Sequence, residues 1–168
     1  MAAGAASLTD VDASRAYLAT AQAEITARGW ADRATFRFGD FVALAPTLDP
    51  ADVVTLDRVV CCYPDWEALI DASTAHARRM LGLVYPVDRW WMRAGAVIGN
   101  VGLRLFRQSF RFHVHPVARV DARIGAAGFV RRMQHRGLVW QVVLYERPND
   151  VQRDTASLEL DPLLPLPR

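Results

Sequence analysis

The stretch Ala51-Asp-Val-Val-Thr-Leu-Asp-Arg-Val-Val-Cys-Cys-Tyr-Pro-Asp65 constrains the fold more than any other part of the chain. It opens on an apolar run, turns polar at Asp57 and Arg58, and closes on Tyr63, Pro64 and Asp65. A buried strand, expected over residues 52–60, that delivers charged side chains at its carboxyl end reads this way. In open α/β sheets, ligands bind outside those carboxyl ends.

What flanks this stretch alternates in the same style. Residues 6–12 read as a short strand ending on an acidic residue. Ser14 is a natural helix N-cap, and Tyr17, Leu18, Ala21 and Ile25 recur at helical spacing before Gly29 ends the run. Residues 34–38 form a strand with aromatic alternation, closed by the turn Gly39-Asp40-Phe41. Asp65 can cap a helix through about residue 79, with Leu69, Ile70 and Ala77 facing inward, and residues 80–85 are an apolar strand stopped by Pro86. Strands and helices in this order imply a mostly parallel sheet covered by helices. A long helix is expected over 88–107, and another over 116–127 with Pro116 at its start and Gly128 after its end. Residues 129–135 and 138–147 then read as two strands joined near Arg136-Gly137. From Pro148 the chain is rich in Pro and Asp and reads as a flexible tail, 148–168.

Bulk composition excludes several classes. A chain of 168 residues, 52% hydrophobic and 23% charged, is long enough for one domain with a core. A net charge of +2 is too near balance to argue for nucleic acid. The two cysteines, Cys61 and Cys62, are adjacent, so no disulfide framework and no zinc spacing can be drawn from them. Metal binding is not expected, and a reducing cytoplasm is the natural compartment. The opening residues carry neither a basic region nor a long apolar run, so no signal peptide is expected. Oligomeric state is not legible.

The run 51–65 resembles one segment of the class I S-adenosylmethionine-dependent methyltransferases, the fourth-strand pattern F-D-x-V-x-x-x-x-V-L-x-x-x-x-D. Thr9-Asp10-Val11-Asp12-Ala13-Ser14 and Gly39-Asp40-Phe41 resemble two more of that family's motifs, in the right order. The closing strand pair resembles the family's antiparallel final strand. The likeness covers residues 1–147. It implies a Rossmann-like α/β domain over 1–147, with helices on both faces of the sheet and an antiparallel C-terminal strand. One element departs from the pattern. No strand with a D-x-G-x-G-x-G loop precedes residue 7, and Met1-Ala-Ala-Gly-Ala-Ala resembles the tail of the helix that follows such a loop. The first central strand is therefore expected to be missing and the chain to be N-terminally truncated, by a displaced start or as a remnant.

The resemblance implies S-adenosylmethionine as cofactor and methyl transfer to a small-molecule acceptor, apolar or aromatic, as activity. Asp12 would hold the ribose hydroxyls; as an ordinary structural residue it would only cap the next helix. Asp40 would accept from the adenine amino group and Phe41 lie against the ring, where a plain Gly-Asp turn is the alternative. Leu56 and Asp57 would meet the methionine end, with Arg58 a buried cation in need of a partner. Tyr63, Tyr85, Arg89, Trp90 and Trp91 are the substrate candidates. His113 and His115 are candidate general bases, or else two histidines in an exposed loop. Helix 88–107 carries Trp90, Trp91 and Phe106 with several arginines, and Gly95 and Gly99 at the spacing of a close helix contact. It is expected to pack over the end of the sheet; contact with a membrane surface is the less favoured reading. The alternative to an enzyme is a non-catalytic remnant acting as an interaction module.

Overall fold

The computed structural model describes residues 4–107 and 112–148. Apart from Pro148, the expected flexible tail lies outside them, as do the first three residues. Residues 4–7 are irregular rather than the end of a helix. The chain divides into two compact units, Met1–Asp49 and Pro50–Arg168.

In the first unit, β1 (Leu8–Asp12) pairs in parallel with β2 (Ala34–Phe38), and α1 (Arg15–Ala27) makes the crossover. Ser14 caps α1, its side chain accepting from the Tyr17 N–H, and Gly29 leaves the helix at φ 70°. Left-handed backbone of that kind is cheap only for glycine. Leu18, Ala21 and Ile25 are half-buried as the spacing predicts, but Tyr17 is 72% exposed. It stands at the margin of a stripe that two short strands cannot fully cover. After β2 comes α2 (Phe41–Leu44), capped by Asp40. Ala45 is the only fully buried residue of this unit among the described residues.

The second unit is a four-stranded sheet in the order β3 (Ala51–Asp57), β4 (Ala77–Pro86), β6 (Trp140–Glu146), β5 (Val130–Arg136). β3 and β4 are parallel, and β6 runs antiparallel to both β4 and β5. This is the mixed α/β arrangement that the strand order implied, with the final strand antiparallel. Helices α3 (Trp66–His76) and α5 (Val117–Ala126) lie against each other, joined by ion pairs of Arg123 with Glu67 and Asp71 and of Arg119 with Glu67. Their inner residues Leu69, Ile70, Val120 and Ile124 close on Leu81, Leu83, Val143 and Tyr145, all buried. The period of two along β4 and β6 and of three and four along the helices explains which residues point inward.

Four boundaries and burial states differ from the sequence reading. β3 stops at Asp57, and Val60–Cys62 form a 3₁₀ turn rather than more strand. The cause is Arg58, whose φ of 57° turns the chain out of the strand. β3 is also not a buried strand: Leu56 alone of its residues is buried, because β3 lies at an edge of its sheet. α3 ends at His76 rather than near residue 79, since Ala77 turns extended to pair with Ala51. Arg147 secures that ending by donating to the carbonyls of Thr74 and Ala77, and it reaches the carbonyl of Ala127 at the end of α5. A guanidinium at two helix C-termini answers the partial negative charge of both. Finally, α4 (Trp90–Leu105) has no fully buried residue: one face is half-buried and the other exposed, so the helix is less covered than one expected to pack over the end of the sheet. Among the described residues nothing lies within 4 Å of a side chain added at Gly95 or Gly99, so neither glycine serves a close helix contact there. Among the described residues no helix is long and apolar enough to cross a membrane.

Candidate functional site

In the first unit the sequence motifs meet at the carboxyl ends of β1 and β2. Asp12 pairs in register with Phe38, and the next N–H, that of Gly39, donates to the Asp12 carbonyl at 3.1 Å. Gly39 sits at φ 149°, and a Cβ there would come to 2.9 Å from Leu44 Cδ1, so both the turn and its packing favour glycine. The half-buried Asp12 carboxylate accepts from the Ser14 N–H through Oδ1 at 2.6 Å. Asp12 therefore braces the residue that caps α1 without capping the helix itself. Its Oδ2 accepts no hydrogen bond among the described residues. Asp10, one turn of the pleat earlier, is pushed above the usual carboxylate range by burial and then by the Asp12 charge. Asp40 is exposed and accepts from the Val42 N–H at 3.0 Å, and Phe41 begins α2 half-buried. This half of the predicted cofactor set is thus a pair of carboxylates on adjacent strand ends.

In the second unit, β3 delivers Leu56, Asp57 and Arg58. Leu56 is buried. Arg58 is not the buried cation expected: it is exposed, and its guanidinium pairs with the neighbouring Asp57 carboxylate at 3.2 Å. The left-handed residue is held by its backbone, since the Arg58 N–H donates to the Val84 carbonyl at 2.8 Å and so prolongs the β3–β4 ladder. Positive φ in a non-glycine residue costs on the order of 1 kcal/mol, and such outliers gather at functional sites.

The turn after Arg58 is the anchor for the two histidines. The His113 N–H donates to the Cys61 carbonyl at 2.7 Å, and His115 Nε2 lies 3.0 Å from the Val60 carbonyl. The two rings stack with centroids 5.7 Å apart, and His115 also meets Trp66 at 5.5 Å. Both are half-buried, so they are not two side chains of an exposed loop. Burial, and then the proximity of His113, hold the His115 imidazolium below the ordinary histidine range. The neutral ring is the form that can accept a proton. Nothing in the sequence signalled this docking, because its partners lie 55 residues apart. Cys61 and Cys62 are free thiols, the first buried and its pKa pushed up to about 12 by that burial, the second exposed.

The five substrate candidates scatter. Tyr63 follows the same turn, half-buried. Tyr85 is 1% exposed, its hydroxyl buried without a hydrogen-bond partner among the described residues, and its pKa is pushed up to about 12 by burial. It stands beside Tyr145, which donates to Asp121, and belongs to the core. Arg89 lines a polar cleft of about 290 Å³ with Asp121, Arg136 and Gln141. Trp91 lines a separate apolar pocket of about 310 Å³ with Met92, Ala96, Leu103 and Phe112. Trp90, its neighbour, points outward at 80% exposure. No cluster of His, Cys, Asp and Glu among the described residues could hold a metal ion.

No protein-family model matches the chain. No curated protein matches it either. Solved structures do. Magnesium protoporphyrin IX methyltransferase from Synechocystis PCC 6803, with S-adenosylhomocysteine bound, is similar at 21% identity and a TM-score of 0.66, over 88% of this chain and 66% of that one. An O-methyltransferase family protein from Burkholderia thailandensis is similar at 15% identity and a TM-score of 0.66, over 88% and 52%. An O-methyltransferase family 2 protein from Planctomyces limnophilus, in complex with apigenin, is similar at 16% identity and a TM-score of 0.60, over 84% and 42%. This chain spans less than two thirds of the length of each. With the sheet order, the antiparallel final strand and the carboxyl-end motifs described above, these likenesses show that the chain has the fold of the class I S-adenosylmethionine-dependent methyltransferases.

Proposed function

We propose that the chain binds S-adenosylmethionine and transfers its methyl group to an apolar or aromatic small-molecule acceptor. The observation that carries this reading is the pair of strand ends in the first unit. Asp12, with Oδ2 open, is tied through its carbonyl to the Gly39-Asp40 turn, so one hydrogen bond fixes two acceptors against each other. A carboxylate with an open oxygen at a parallel strand end suits a vicinal diol, and an exposed second carboxylate suits an exocyclic amine. The residues present therefore fit the ribose and adenine of the cofactor.

Bound S-adenosylmethionine supplies an electrophilic methyl carbon. Asp12 holds the ribose hydroxyls, Asp40 accepts from the adenine amino group, and Phe41 covers the ring. Leu56 and Asp57 offer backbone to the methionine end, and Arg58 brings a cation for its carboxylate. Positioning of this kind supplies much of the rate of an in-line displacement. For an acceptor that must lose a proton, His115 or His113 takes it, and the low basicity of a buried neutral ring suits an acidic acceptor such as a phenol or carboxylic acid. Trp91 offers an aromatic wall to the acceptor; Tyr63 and Arg89 are the polar candidates. The apigenin and protoporphyrin of the similar enzymes' names support an aromatic acceptor. We assign the reaction to the cytoplasm on the two free thiols.

The test is calorimetric titration of the full chain with S-adenosylhomocysteine, beside Asp12→Ala. Saturable binding is expected. Hydrogen bonds to a charged group contribute roughly 1.5–3 kcal/mol each, so the variant should bind at least about tenfold more weakly. A folded chain that does not bind, or an Asp12→Ala variant that binds equally well, would overturn the reading.

A further inference from the structure

Helix α4 has two apolar faces where a surface helix ordinarily has one. The inner face, with Trp91, Met92, Ala96 and Leu103, is half-buried over the apolar pocket. It is fastened by Asn100, whose side-chain amide donates to the Phe112 carbonyl at 2.7 Å and accepts from the Phe112 N–H at 2.9 Å. The outer face is uncovered. Trp90, Ala94, Val97, Ile98, Val101 and Leu105 lie on one side of the helix and form one continuous stripe, with Ile98 73% and Leu105 77% exposed and Phe106 beside its end. A contiguous apolar surface of this size marks an interaction site.

Charge says what it would meet. No acidic residue lies within α4. Arg89 stands at its N-cap, Arg93 and Arg104 on one shoulder of the stripe, and Arg107 just past its end. Arg93 is answered by Asp88 at 2.6 Å; Arg89, Arg104 and Arg107 are in no ion pair among the described residues. Pairing with a second copy would offer these arginines no acid on the facing helix, and in the antiparallel arrangement would set the same arginine shoulder against itself. An anionic surface with an apolar interior answers both features at once: the stripe enters the acyl boundary, and the arginines stay among the headgroups.

We propose that α4 is a membrane-surface helix, docking this chain on anionic lipid through the stripe from Trp90 to Leu105 and its flanking arginines. The proposal is independent of cofactor binding, because it uses the face of α4 turned away from the pocket. It is tested by sedimenting the full chain with vesicles of phosphatidylcholine alone and of phosphatidylcholine mixed equally with phosphatidylglycerol. Binding is expected to the anionic vesicles, to weaken as salt is raised, and to be at least tenfold weaker to the neutral ones. Ile98→Asp removes apolar contact and adds a repelled charge at a position that is 73% exposed. Its affinity should fall at least about tenfold. Arg104→Gln and Arg107→Gln should each cost roughly fivefold, at about 1 kcal/mol per charge near an anionic surface. Circular dichroism confirms that each variant is folded. Absence of binding to anionic vesicles at low salt overturns the proposal. So does equal binding by folded Ile98→Asp, or self-association that Ile98→Asp abolishes while vesicles are ignored.

Discussion

The two units solve the problem of stability in different ways. Pro50–Arg168 closes a core: two helices cover one face of its sheet, and Leu69, Ile70, Leu81, Leu83, Val120, Ile124 and Val143 have no exposed surface. Among its described residues Met1–Asp49 has two strands, one crossover helix, the short α2 and a single fully buried residue, Ala45. A two-stranded sheet is marginal in water, and each of its local devices therefore matters more. Those devices are the Ser14 cap, the Asp12 brace, the Gly39 turn and the Asp40 cap, and two of them, Asp12 and Asp40, belong to the proposed cofactor set. Where the core is large, stability and chemistry are carried by separate residues; where it is small, the same residues carry both.

Substitution separates the two cases. Leu83→Ala in the large core should cost about 2–5 kcal/mol, read as a lower midpoint in urea at unchanged slope. A loss below about 1 kcal/mol would mean that the core of the second unit is not what holds it. Ser14→Ala in the first unit should cost less, about 0.5–2 kcal/mol. Its loss should appear as faster amide exchange along residues 15–20, with the β4 amides unmoved; uniform acceleration in both units would erase the contrast.

Acid sharpens the comparison through small effects in the second unit. His115 is held below the ordinary histidine range by burial. Because its folded pKa is depressed, the unfolded chain binds the proton first, and stability begins to fall as pH drops below about 6.5, the ordinary histidine value. Asp71 is held below the ordinary carboxylate range, first by its hydrogen bonds from Arg123. Its contribution is present above about pH 4 and is lost as pH falls through the depressed folded value. Asp71 is largely exposed, so its share is small. His115→Gln should remove the first step and leave the second; a pH profile that keeps the upper step in that variant would refute the assignment.

Local signals made much of this legible from sequence. Ser14 and Asp65 cap the helices that follow them, Gly29 and Gly128 take left-handed backbone at helix ends, the strand 34–38 lies where aromatic alternation places it, and the strand expected over 6–12 forms over 8–12; the short helix that Asp40 caps is not legible, the segment reading as a plain turn. What escaped depends on contacts remote in sequence. The end of α3 is fixed by Arg147, some 70 residues later. The histidines are half-buried because Val60 and Cys61 offer them carbonyls. β3 and α4 bury less than their apolar composition suggests, because composition reports what a segment can bury, not whether anything covers it. Tyr85 shows the converse: an aromatic residue near a strand end reads as a ligand contact, and here its ring belongs to the core.

The most direct test of the account is amide exchange with and without saturating S-adenosylhomocysteine, resolved along the chain. Slower exchange is expected at residues 8–15 and 36–44, where Asp12 and the Gly39-Asp40 turn lie, with loss of that protection in Asp12→Ala. Unchanged exchange over both segments in the presence of saturating ligand would contradict it.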